Sequence, residues 1–137
     1  MFLRGDRAGG DPAWTGCEVQ ILDDFHWEER TKSQLKPWQF TGSLYGSVPP
    51  AKHALKPLGE WNTYAIEYRG PRIQTLLNGV ELYDVDTHTV SVPEGHLPFE
   101  KRATTGFIGL QRHASDGIQG DAYAWFRNIW VRPLADH

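Results

Sequence analysis

Glu18 and Gln20 stand two residues apart, with Asp23 and Asp24 just beyond them. In an extended chain, residues two apart share a face, so this stretch presents a carboxylate beside an amide. A carboxylate takes a proton and an amide orients hydroxyls, which together equip a sheet face for acid–base chemistry on a sugar. The ordinary reading of the same pattern is a solvated strand face, because alternation by itself makes no site. His113 offers a second group for proton transfer, since an unperturbed imidazole titrates at about pH 6.5. It shares a face with Gln111 if the strand containing Gln111 runs that far, and its bland alternative is a surface histidine at a strand end.

Other reactive arrangements fail on spacing. The remaining histidines, His26, His53, His88, His96 and His137, show neither a His-x-His nor a His-x-x-x-His pattern. No ligand motif for a divalent cation is therefore found, and the cofactor is left open. Gly42-Ser43-Leu44-Tyr45-Gly46 places its serine one position too early for a nucleophile elbow. Asp84-Val85-Asp86 lacks the further ligands and the glycine of a calcium loop and reads as a strand end. Arg4-Gly5-Asp6 spells a tripeptide associated with adhesion, but three-residue matches arise readily by chance. Among the six tryptophans, Trp14, Trp27 and Trp38 fall in loops, where they are placed to line a cleft. Trp61, Trp125 and Trp130 fall in or beside strands and are expected in the core.

These groups need a scaffold, and 137 residues suffice for one domain spanning 1–137. With 39% hydrophobic and 23% charged residues, the chain has material for one packed core. A net charge of -3 argues against a partner held by many phosphates, so neither nucleic acid nor an acidic membrane surface is expected. Cys17 is the one cysteine, which excludes an intrachain disulfide framework. No apolar run is long enough to cross a bilayer as a helix. The first residues, Met1-Phe2-Leu3-Arg4-Gly5-Asp6, do not resemble a secretory signal.

The elements read as all-β. Fourteen glycines and nine prolines are scattered throughout, and no window keeps a helical period long enough for a convincing helix. Cys17 to Ile21 alternates, with Cys17, Val19 and Ile21 on the core side and Glu18 and Gln20 opposite. Thr63 to Arg69 alternates likewise, and Gly106 to Gln111 sends Ile108 and Leu110 one way and Phe107, Gly109 and Gln111 the other. Asn78-Gly79 supplies the positive φ angles of a type I′ hairpin between strands near 71–77 and 80–85. Tyr123 to Val131 is apolar on both sides and predicts a strand covered on both faces. The long polar connections between strands suit binding groups, and the whole suggests a sandwich or jelly roll.

Seven segments in order resemble one family. They are Phe2-Leu3-Arg4-Gly5, Gly16 to Asp23, Thr41 to Gly46, Lys56 to Asn62, Leu77-Asn78-Gly79, Gly106 to His113 and Trp125 to Ile129. No one of them is specific, but together they cover nearly the whole chain and resemble the 3-keto-disaccharide hydrolase family. The resemblance implies an all-β, concanavalin-A/laminarinase-like jelly-roll sandwich. It also implies action on sugars whose C3 hydroxyl has become a ketone. That ketone acidifies the C2 hydrogen, so a base removes it, the group at C1 is expelled, and water adds back.

Carried over residue by residue, the resemblance makes Glu18 the base or a substrate-binding carboxylate, with Gln20 and Asp23 orienting hydroxyls. Arg4, Tyr45, Gln111 and His113 would face the same concave surface, where Arg4 or His113 would stabilise the enolate oxygen. Glu60, Trp61, Asn78 and Arg127 match as hairpin and packing residues. The chain departs from the pattern by lacking N-terminal strands and by a longer loop at 118–124. Missing strands would expose sheet edges and core, which predicts a homo-oligomer or a piece of a longer chain. Relatives often carry export signals, which suggests an extracytoplasmic location. The rival reading is a non-catalytic carbohydrate-binding module. A laminarinase-like glycosidase is weaker, because a retaining enzyme needs a second carboxylate about 5 Å from the first.

Overall fold

The computed structural model describes residues 1–6, 9–112 and 123–135. Among the described residues, six strands form two antiparallel sheets. Strands β1 (Phe2–Gly5), β2 (Cys17–Glu18) and β6 (Phe107–Gly109) make one sheet in the order β2-β1-β6. Strands β3 (Tyr64–Arg69), β4 (Arg72–Leu77) and β5 (Val80–Asp86) make the other, joined in sequence order. The fold is all-β, and its helices are short: α1 (Pro12–Thr15), α2 (Trp27–Thr31) and three single 3-10 turns. Sequence periodicity gave no sign of these helices, because each is too brief to carry a period. Asp11 starts α1 by capping Ala13 N–H, and Pro12 occupies a first-turn position where its missing donor costs nothing.

The second sheet follows its local signals. Asn78 and Gly79 take φ angles of 54° and 79°, the left-handed pair that a two-residue hairpin requires. Asn78 does more than turn the chain. Its side chain accepts from Thr63 N–H at 2.9 Å and donates to Ala54 C=O at 2.8 Å and Asn62 Oδ1 at 2.7 Å. One irregularity explains why two consecutive residues of β5 are buried. Thr75 pairs with Tyr83 but Leu76 pairs with Glu81, so Leu82 is the extra residue of a bulge, and both Leu82 and Tyr83 turn inward.

One core lies between the sheets. Leu3, Cys17, Val19 and Leu44 come from the first sheet and its partner stretch, and Ile73, Leu77, Leu82 and Tyr83 from the second. Cys17 is 1% exposed, and burial pushes its thiol pKa up to about 12. A thiol reagent is therefore expected to leave the folded chain unmodified at pH 8 and to label it stoichiometrically once urea has unfolded it. Labelling as fast as a free thiol in the absence of urea would contradict this burial.

The structure corrects several sequence expectations. Tyr123 to Val131 forms no strand, and Trp125 and Trp130 are 79% and 88% exposed. Asn128 has a φ of 53°, which breaks the extended run at its middle. The stretch is held from outside by Arg127 stacking on the Trp61 ring at 3.9 Å and by Arg69 donating to Ala135 C=O. Trp61, expected in the core, is 44% exposed and serves that stack. Strand β6 is also shorter than expected, and it leaves Ile108 and Leu110 exposed.

Candidate functional site

Strand pairing decides which residues share the face around Glu18. Leu3 pairs with Cys17, and Phe2 pairs with Glu18. Beyond β2 the chain continues antiparallel to residues 41–45, through the Val19–Leu44 bridge and the bonds Tyr45 N–H to Glu18 C=O and Gln20 N–H to Ser43 C=O. Since Leu3, Cys17, Val19 and Leu44 all enter the core, alternation puts Phe2, Glu18, Gln20 and Tyr45 on the opposite face. The sequence expectation that Glu18, Gln20 and Tyr45 come together is met by this register.

Around Tyr45 the face carries a wall of rings. Trp38 meets Tyr45 edge-on at 5.3 Å and 88°, and Trp14 lies 5.8 Å away on the other side. Trp14 in turn stacks on His96 at 3.6 Å and 13°. The turn after Tyr45 admits this wall only because position 46 is glycine. Its φ is 75°, and a Cβ there would meet the Trp14 ring at 2.6 Å. Phe107 extends the apolar floor, with its ring packed where the Cβ atoms of Gly5 and Gly109 would be. Glu18 is 6% exposed, so its carboxylate sits at a protein-lined floor with little access to bulk water.

Arg4 and Asp23 are committed elsewhere. Arg4 has a φ of 53°, at a point where the pairing of β1 with β6 slips register. The kink carries its guanidinium to the Tyr68 ring, 3.6 Å from the centroid, and to Gly70 C=O at 2.7 Å. Tyr68 and Gly70 belong to the second sheet and the turn after β3, so the Arg4 guanidinium is engaged there, in a solvent-accessible contact. Asp23 holds His26 instead, with both carboxylate oxygens 2.8–2.9 Å from Nδ1 and Arg30 4.0 Å away. Gln111 lies two residues past β6 and is half-buried. His113 and residues 118–122 of the longer loop lie outside the described residues.

Two features escaped sequence reasoning. The Asp23–His26 pair had a signal in its three-residue spacing at the start of α2. Arg102 had none. It is 7% exposed, and its guanidinium donates to Ala13 C=O at 3.2 Å, Gly16 C=O at 3.0 Å and Leu97 C=O at 2.8 Å. It thus fastens the 97–102 loop to the end of α1, immediately before β2, and lies over the Phe99 ring at 4.0 Å. Burial lowers its pKa. Arg102→Met is expected to cost about 2–4 kcal/mol in urea unfolding, because three carbonyls lose a charged donor. Arg102→Lys should recover part of that, and a Met variant as stable as wild type would show that the clamp contributes nothing.

Among the described residues, no group of three or more His, Cys, Asp or Glu is placed to hold a metal ion. Asp84, weighed above as a cation ligand, is paired bidentately with Arg72 at 2.6–2.7 Å. Asp86 caps the following 3-10 turn through His88 N–H. No helix of the described residues is long and apolar enough to cross a membrane.

Residues 1–132 match the family profile described as a 3-keto-alpha-glucoside-1,2-lyase-like domain. Among solved structures, the chain is similar to a protein of Parabacteroides distasonis assigned as a glycosyl hydrolase. That likeness has 30% identity and a TM-score of 0.65, over 77% of this chain and 58% of that one. A second assigned glycosyl hydrolase from the same organism matches at 30% identity and a TM-score of 0.51, over 69% of this chain and 41% of the other. The chain thus spans little more than half the length of the first and less than half of the second. No functionally curated protein matches significantly.

Proposed function

Because the chain belongs to the 3-keto-alpha-glucoside-1,2-lyase-like family, we propose that it cleaves the glycosidic bond of 3-keto-glycosides by elimination followed by hydration. The observation that carries this reading is the register that sets buried Glu18 beside Gln20 and Tyr45 under a wall of rings. The rings suit the C–H face of a sugar, and the carboxylate suits a proton on the carbon next to a ketone.

In the reaction, the Glu18 carboxylate takes the C2 proton, and the C–H electron pair forms the C2–C3 enolate. The enolate then collapses to regenerate the ketone, forms the C1–C2 double bond and breaks the bond from C1 to the leaving oxygen. The leaving oxygen takes up the proton that Glu18 removed from C2, which returns Glu18 to its carboxylate form, and water adds across C1–C2, placing hydroxyl at C1 and hydrogen at C2. Within this scheme, Gln20 and Tyr45 supply an amide and a phenol to hold the ring hydroxyls. Arg4, engaged with Tyr68 and Gly70, is not assigned a part in it.

The test compares chromogenic 3-keto-glucosides of both anomers with their unoxidised parents. Aglycone release from the keto sugar alone is the expected result. Equal release from the unoxidised sugar would replace this chemistry with ordinary glycoside hydrolysis. Binding of sugars without release from either would favour a carbohydrate-binding module, to which the same ring wall is suited.

A further inference from the structure

The stretch that begins at Glu18 runs on beside residues 41–45 and ends in a second concavity. Leu22 N–H donates to Thr41 Oγ1, the Thr41 hydroxyl lies 2.6 Å from Leu22 C=O and 3.0 Å from Asp24 Oδ1, and Thr41 N–H donates to the Asp24 carboxylate. There Asp24, Trp27, Glu28, Gln34, Leu35 and Phe40 line a hollow of about 270 Å³ between α2 and the turn at residues 37–39.

The lining is specific in kind. Two aromatic rings and Leu35 give apolar walls, and two carboxylates and an amide give a polar rim. Anions are disfavoured by the carboxylates, and a wholly apolar ligand would strip the rim of water without replacing its hydrogen bonds. Asp24 already accepts from Thr41 N–H, which lies 3.0 Å from both its carboxylate oxygens, and burial raises its pKa, so the hollow is poorly suited to a dedicated cation. A pyranose meets both halves of the lining, with C–H faces for the rings and hydroxyls for the rim. Asp24 is six residues from Glu18, so at about 3.3 Å per residue the two Cα atoms are at most about 20 Å apart. A glycoside of two or more units is the ligand with the length to engage both places.

We propose that this hollow is a sugar subsite that takes a unit of the glycoside remote from the 3-keto ring, which makes the chain prefer oligosaccharide over simple aryl substrates. The proposal rests on the carbohydrate reading of the Glu18 face.

The experiment measures kcat/KM of the full chain on a 3-keto-disaccharide and on a small aryl 3-keto-glucoside, for wild type, Trp27→Ala and Gln34→Ala. Both variants are expected to lose about 3- to 10-fold on the disaccharide, the worth of one ring or one polar contact, and to keep wild-type values on the aryl glycoside. Equal losses on both substrates, or none on either, would overturn the subsite while leaving the enzyme reading intact. If neither substrate is turned over, the enzyme reading fails, and calorimetric titration with the unoxidised disaccharide decides the subsite alone. Binding that Trp27→Ala weakens sustains it, and no binding, or binding the variant leaves unchanged, removes it.

Discussion

Replacing Glu18 by glutamine is expected to lower the rate of aglycone release from a 3-keto-glucoside by about 10²- to 10⁴-fold, the usual worth of a positioned general base. Glutamine keeps the size and hydrogen-bonding reach of the side chain, so urea unfolding should report a folded, cooperative variant. The loss should fall on kcat, because removing a base costs transition-state stabilisation while the proposed sugar contacts of Gln20, Tyr45 and the rings are left in place. Deuterium at C2 of the substrate gives an independent readout. A slower wild-type reaction with the labelled sugar would mark proton removal from C2 as part of the slow step. Retention of full activity by Glu18→Gln would remove Glu18 from the chemistry and leave its face as a binding surface.

The second large effect is structural and lies two residues upstream. Gly16→Ala is expected to destabilise the fold by about 3 kcal/mol, at the upper end for overpacking a filled space. The reason is contact. A Cβ would lie 2.5 Å from both Leu3 O and Arg4 O, and these are backbone atoms of β1 that cannot swing aside. The sheet would have to open between β1 and β2, the pair that sets Phe2 opposite Glu18. Gly79→Ala is the control, since a Cβ there meets nothing within 4 Å and the cost is only that of a φ of 79°, about 1–2 kcal/mol. Chemical denaturation of the two variants ranks them, and a Gly16 variant more stable than the Gly79 variant would show that the sheet yields easily.

Features set by neighbours in sequence were legible in it. The alternation of Tyr64 to Arg69, the Asn78-Gly79 turn and the pairing of Glu18 with Gln20 on one face depend on local periodicity and turn chemistry, and the structure shows each of them. Features set by distant contacts were not legible. The family resemblance carries Arg4 over to the concave face, but its place depends on a register slip against β6 and a tyrosine 64 residues away. Trp61, Trp125 and Trp130 are apolar enough for a core, yet burial requires a layer to cover them, and composition does not say whether one is present. Arg102 finds two carbonyls at the end of α1 and one in its own loop, and no spacing announces the contact across 86 and 89 residues. Alternation singles out the Glu18 face, and Trp14 and Trp38 are expected to line a cleft, whereas their contacts with Tyr45 and His96 are set by packing.

The triple use of Asn78 ties the hairpin to the loop that precedes β3. Since its side chain binds Ala54, Asn62 and Thr63, the backbone from 54 to 63 has its anchor in the β4–β5 turn. Aspartate or glycine at position 78 would satisfy the turn but not the anchor, because neither supplies the two N–H donors. Native-state hydrogen exchange should therefore see loop and hairpin open as one unit, with amides of the loop as protected as the hairpin permits. Sequence drift at this position is constrained by the loop more tightly than by the turn.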